Sequence, residues 1–171
     1  MAAAHADAVH GAEICRDLQD RLVMIARVSD AGAFVNTNAL TLKRSHGDYS
    51  VMQLLYDGSE IKAVLDFVNA GEVPIAWELI RSYSYMDCTF NAARLAAYTN
   101  EYRRYAEVSM DDLRYMPYLY LGQLLSSTYG YKQYLQTGDE ELLAFGRWRT
   151  EMCRYLIANA GEVSAELVRL A

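Results

Sequence analysis

The chain has 171 residues, 53% of them hydrophobic and 22% charged, which is enough for one domain with a sizeable core. Its formal net charge of −6 argues against nucleic acid as the main partner, because a phosphate backbone selects a basic face. No stretch reaches the roughly 18 apolar residues of a membrane span, and the N-terminus lacks the basic and apolar regions of a signal peptide, so a cytoplasmic protein is expected.

Ile14, Leu18, Leu22 and Ile25 recur at helical spacing and predict a helix from about Ala8 to Val28. His5 and His10 are expected to be solvent-exposed. "SDAGAFVNTNA" follows as a loop rich in Gly, Ser and Asn. From His46 the period changes. "VMQLLYD" reads as a short strand, "DGS" (Asp57 to Ser59) as a turn and "IKAVLDF" as a second strand, making a hairpin that is the only clear β signal in the chain.

After Pro74 the pattern is helical. "VPIAWELIRSYSYM" opens with Pro74 near its first turn, and Trp77 is expected in the core. "NAARLAAYTNEYRRYA" is a second helix. "SMDDLRYMPYLYLGQLLSSTYGYKQYLQ" begins with Ser109 as N-cap and Asp111 and Asp112 in its first turn, and Pro117 either kinks it or marks its true start. "GDEELLAFGRWRTEMCRYLIANAG" opens at Asp139 and closes at Gly161, leaving "VSAELVRL" as a tail helix. The three cysteines, Cys15, Cys88 and Cys153, are too widely spaced for a metal cluster and read as buried or half-buried thiols. Most of the 14 tyrosines are expected to pack between helices with their hydroxyls at the rim, with a wall for a polar or cationic substrate as the functional alternative.

"HGDYSVMQLLYDGSEIKAVLDFVNAG", His46 to Gly71, carries the chemistry. Phosphoryl transfer needs an oriented substrate hydroxyl, a proton acceptor and magnesium bridging phosphate oxygens, so placing carboxylates and oxygen donors is most of the protein's task. Asp48 precedes the first strand, Gln53 begins it and Asp66 ends the second, and a hairpin brings its two ends together. These residues are therefore candidates for one pocket.

"HGDYSVMQ" resembles the catalytic loop His-Gly-Asp-x-x-x-x-Asn of the aminoglycoside phosphotransferase superfamily, which includes choline, homoserine and other small-molecule kinases. "LDFVNAG" resembles its metal loop, and "WELIR" the helix that follows. The resemblance implies a mainly α fold with a small β-hairpin: the helical C-terminal lobe of a protein-kinase-like fold as one domain over 1–171. It implies Asp48 as catalytic base, Gln53 and Asp66 as magnesium ligands, and His46 and Glu78 as supports of the loops. It also implies ATP or GTP as phosphate donor and a small molecule bearing a hydroxyl group as acceptor.

Two departures stand out. Gln53 replaces the family's Asn and is one methylene longer. Forty-five residues precede His46, and they read as a helix and a loop in place of the family's N-terminal β lobe. The expectation is a C-terminal lobe inactive alone, which takes its nucleotide grip from a separate N-lobe chain. A homodimer, or a non-catalytic binding module that keeps the fold, are the alternatives. The apolar "RYMPYLYLGQLL" is expected to supply surface left exposed by such a missing lobe.

Overall fold

The structure is a computed structural model. It describes residues 2–30, 35, 37–86 and 90–171, with the side chains of 2–9, 30, 37 and 86 outside the description, so nothing is said of Cys88 or of the His5 ring. The chain divides into two compact units, one of Met1–Phe34 with Leu121–Ala160, the other of Val35–Tyr120 with Gly161–Ala171.

In order, the elements are α1 (Ala2–Asp30), β1 (Leu42–Ser45), β2 (Leu54–Asp57), β3 (Glu60–Val64), β4 (Gly71–Pro74), α2 (Ile75–Met86), α3 (Ala92–Arg103), α4 (Met110–Ser126), α5 (Tyr131–Thr137) and α6 (Glu140–Leu170). Short 3-10 turns cover Thr37–Ala39, Val51–Gln53 and Phe67–Asn69.

The first unit is helical. Ile14, Tyr131, Tyr134 and Leu143 form a buried cluster, with Leu18, Leu135 and Leu142 packed against it. The buried stripe of α1 runs through Ile14, Arg21 and Met24, whereas Leu22 and Ile25, expected on that stripe, are exposed. The sequence reading passed over Arg21 because it is charged. Its guanidinium is nevertheless buried and donates to Ser127 O at 2.6 Å, Gly146 O at 3.2 Å and Thr150 Oγ1 at 2.7 Å. Hydrogen-bonded burial is the condition under which a polar group is tolerated inside. His10 is half-buried, not free in solvent: it hydrogen-bonds Glu13 at 3.3 Å and meets the Tyr134 ring edge-on. Cys15 is exposed, against expectation, and Cys153 is buried. Asp139 caps α6 by accepting from Glu141 N at 2.9 Å.

The second unit holds every motif residue. Its core contains Ile75, Leu79, Ile80, Leu95, Leu113, Met116 and Leu167. Ser109 caps α4 as expected, and Asp112 returns the bond: Ser109 Oγ accepts from Asp112 N at 3.1 Å, and Asp112 Oδ2 accepts from Ser109 N at 2.8 Å. Asp112 Oδ1 also accepts from Thr41 N at 2.9 Å, which fixes the chain just before β1.

Several elements differ from expectation for physical reasons. Val51–Gln53 is a 3-10 turn capped by Ser50, not strand. Pro117 lies inside α4 and does not start it. α6 runs through Gly161, because Val163 and Leu167 continue the buried phase of Leu156 and Ala160. That burial outweighs the roughly 1 kcal/mol cost of a helical glycine. Trp77 is half-buried. "RYMPYLYLGQLL" is not an exposed face, since Met116, Tyr120, Leu121, Leu124 and Leu125 are all buried.

The largest difference is a second β-ribbon. β1 pairs antiparallel with β4, in the register Leu42↔Pro74 to Ser45↔Gly71, while β2 pairs with β3 from Leu54↔Val64 to Asp57↔Glu60. "LKRS" and "GEVP" carry no apolar alternation, so only a long-range pairing reveals them as strands. The turn between β2 and β3 rests on Gly58 at φ +61°, a region that favours glycine. One ribbon is thus nested inside the other, and residues 46–53 and 65–70 are the two connections between them.

Candidate active site

This nesting makes the two connections neighbours. His46 Nε2 donates to Leu65 O at 2.6 Å, and Leu65 N donates to Gln53 O at 2.8 Å. The His46 and Phe67 rings lie 4.7 Å apart. Gly47 has φ +76°, and a Cβ there would sit 2.0 Å from Asn69 O, so the backbone approach excludes any side chain. The segments carrying Asp48, Gln53 and Asp66 are therefore cross-linked in one place.

α2 holds the first connection from below. Glu78 Oε1 accepts from Gly47 N at 3.2 Å and from Tyr49 N at 3.3 Å, the amides on either side of Asp48. Burial pushes the Glu78 carboxyl up from its ordinary value, against the lowering effect of those two amides and of His46. Glu78 Oε2 and His46 Nδ1 are buried without a partner among the described residues. Arg81, one turn along α2, pairs with Asp48 Oδ1. The sequence reading missed Arg81. Its signal was the spacing of three from Glu78, which puts both side chains on one helix face.

The candidate metal ligands differ in their surroundings. Gln53 Oε1 accepts from the Ser50 hydroxyl, which itself accepts from Met52 N at 3.3 Å. Asp66 is exposed and has φ 62° and ψ 59°, a left-handed conformation unusual outside glycine. It precedes the Phe67–Asn69 turn but makes no capping hydrogen bond. Strained backbone of this kind costs about 1–3 kcal/mol and concentrates at functional positions.

No group of three or more His, Cys, Asp or Glu able to hold a metal occurs among the described residues. An amide oxygen and a carboxylate are nevertheless a donor set suited to magnesium, which keeps several waters and takes one or two protein oxygens plus phosphate. The Gln53 oxygen has a second lone pair beyond the one facing Ser50. The donors therefore fit the ion.

A cleft of about 650 Å³ opens beside the second connection, lined by Arg44, Ser45, His46, Phe67, Gly71 and Glu72 among others. The tyrosines near α2 largely pack between helices, as expected: Tyr83 and Tyr98 lie 6.1 Å apart, and Tyr98 Oη meets Ser82 Oγ at 2.9 Å. Tyr120 goes further, with its hydroxyl bonded to Ser84 Oγ at 2.6 Å inside the core.

The model of the phosphotransferase enzyme family matches residues 5–108. The chain belongs to the phosphotransferase enzyme family. Both connections and α2 fall inside the matched span. No curated protein and no solved structure matches the chain. No helix among the described residues is long and apolar enough to cross a membrane.

Proposed function

We propose that this phosphotransferase family member carries the catalytic and metal loops of an ATP-dependent kinase acting on a hydroxyl group of a small molecule. The observation that supports the reading most is the His46–Leu65 bond of 2.6 Å, which ties the His-Gly-Asp segment to the residue before Asp66. In this reading the chain, 1–171, acts as a kinase-like C-terminal lobe, with its motif residues in the unit of Val35–Tyr120 and Gly161–Ala171. Asp48 receives the proton of the substrate hydroxyl and orients its oxygen. Gln53 and Asp66 would hold magnesium, which when bound offsets the charge on the phosphate oxygens. Glu78 and His46 keep the two loops in register.

The described strands form two ribbons of two strands each and include no five-stranded nucleotide-binding sheet. The 171 residues alone are therefore expected to bind Mg-ATP more weakly than micromolar, which calorimetry checks. GTP is the alternative donor.

The test is phosphorus NMR of millimolar Mg-ATP with the chain, a supplied nucleotide-binding lobe and a pool of amino sugars and amino alcohols. Magnesium-dependent formation of ADP and a phosphoester, lost in Asp48→Asn, is the expected result. Turnover unchanged in Asp48→Asn contradicts the reading. One observation favours a second reading, a binding module without turnover: the Gln53 amide oxygen already accepts from Ser50. That reading predicts no phosphoester from any member of the pool, with or without a supplied nucleotide-binding lobe.

A further inference from the structure

Asp48 is held in a way the family motifs do not specify. Its Oδ1 pairs with Arg81, whose side chain is 10% exposed against 27% for Asp48. Arg81 lies between two aromatic residues of its own helix, with its guanidinium carbon 5.6 Å from the centre of the Trp77 ring and 5.1 Å from that of Tyr85. Trp77 and Tyr85 stand four residues before and four after Arg81, so all three share one face of α2. Cation–π contacts to two rings help hold a guanidinium in place, and a lysine ammonium lacks its planar fork. Arg81 Nη1 is buried and has no partner among the described residues. The carboxylate of Asp48 thus takes the hydrogen bond from an arginine already fixed by its surroundings.

We propose that Arg81 is a positioning residue for Asp48, and that Glu78 and Arg81 together form a two-point clamp on the catalytic loop. Glu78 takes the backbone amides of Gly47 and Tyr49 on either side of Asp48, and Arg81 takes one oxygen of the carboxylate between them. With Oδ1 held, Oδ2 is the oxygen presented to an incoming hydroxyl. Pre-organisation of this kind matters because small misplacements of a reacting group cost large factors in rate. The inference rests on the reading of Asp48 as the group that meets the substrate hydroxyl.

The test uses the full chain and NMR of its carboxyl carbons and backbone amides. In Arg81→Met the Asp48 carboxyl resonance moves by more than its line width, and in Arg81→Lys it returns part of the way. Amide exchange at Gly47 and Tyr49, held by Glu78, and along α2 changes by less than about threefold, which separates positioning from a general loosening of the helix. In turnover of Mg-ATP with a supplied nucleotide-binding lobe, Arg81→Met lowers kcat by about tenfold or more while KM stays within about twofold. An Asp48 resonance unmoved in a folded Arg81→Met protein overturns the clamp. Where Arg81→Met does not fold, Asp48→Asn gives the answer from the other side: faster exchange of the Arg81 Nη2 protons, which bond Asp48, is expected, and unchanged exchange overturns the clamp. Turnover that survives Asp48→Asn defeats the kinase reading alone. An unmoved resonance with turnover lost in Asp48→Asn defeats the clamp alone.

Discussion

The catalytic loop and the β2–β3 ribbon are joined in sequence but built on opposite principles. His46 and Ser50 are 8% and 4% exposed, and α2 reaches the loop through Glu78 and Arg81. In the ribbon, Leu55 is 50% exposed, Tyr56 54% and Ile61 54%, and Val64 is exposed as well. A two-stranded ribbon in water is marginal without a surface to pack on. The loop is therefore set by tertiary packing and the ribbon by its turn and its pairing. Packing is concentrated on the segment that carries Asp48, the proposed proton acceptor.

The first way to break this contrast is chemical. Asp48→Asn should lower phosphotransfer by about 10²–10⁴-fold, because an amide does not accept the substrate proton. A comparable loss from Ile61→Ser, on the exposed ribbon, would deny the loop its special place.

Gly47→Ala comes next. Its Cβ would meet Asn69 O at 2.0 Å, and the backbone is at φ +76°. A loss on the order of 3 kcal/mol in urea denaturation is expected from strain and backbone displacement. A loss below about 0.5 kcal/mol would mean that the two connections are not in contact.

Glu78 sharpens the comparison through pH. Its carboxyl is raised above 4.5 in the folded chain, chiefly by burial. The folded state therefore binds this proton more tightly than the unfolded chain does. The stability it contributes is present below 4.5 and is lost as pH rises through the folded value. Glu78→Gln removes that titration while keeping an acceptor for the two amides. The stability of wild type relative to Glu78→Gln should fall between acid and neutral pH, as read by denaturation at both. A gap constant with pH would contradict the burial.

Gln53→Asn should raise phosphotransfer modestly, since the shorter amide restores the family's ligand geometry. Unchanged or lower activity would mark the glutamine as an adapted ligand. The smallest effect is expected at Val68→Ser, within about 0.5 kcal/mol in stability.

Much of the site was legible in the sequence because its residues lie within one local stretch. The motif spacing put Asp48, Gln53 and Asp66 at the mouth of a hairpin, and the described geometry cross-links those segments. Glu78 was legible by resemblance, and its bonds to Gly47 and Tyr49 suit the bracing role expected of it. The β1–β4 ribbon was not legible. Its pairing spans residues such as Lys43 and Val73, and its strands have no alternation to mark them. Arg21 and Arg81 were missed for a common reason. A charge reads as solvent-facing, and only partners distant in sequence (Ser127 O for one, Asp48 for the other) make its burial tolerable. The end of α6 is not legible either: Gly161 reads as a stop, yet buried side chains on both sides keep the helix going.

On the proposed function, the two connections between the nested ribbons share one divalent-cation site. Manganese added in substoichiometric amounts, with amide and carboxyl NMR signals followed residue by residue, tests it most directly. Selective broadening is expected at the Gln53 side-chain amide, Asp66 and Phe67, with loss of that broadening in Asp66→Asn and no effect at Tyr131 or Leu143. Broadening centred on another acidic group such as Asp17 and Asp20, or none at Gln53 and Asp66, would contradict it.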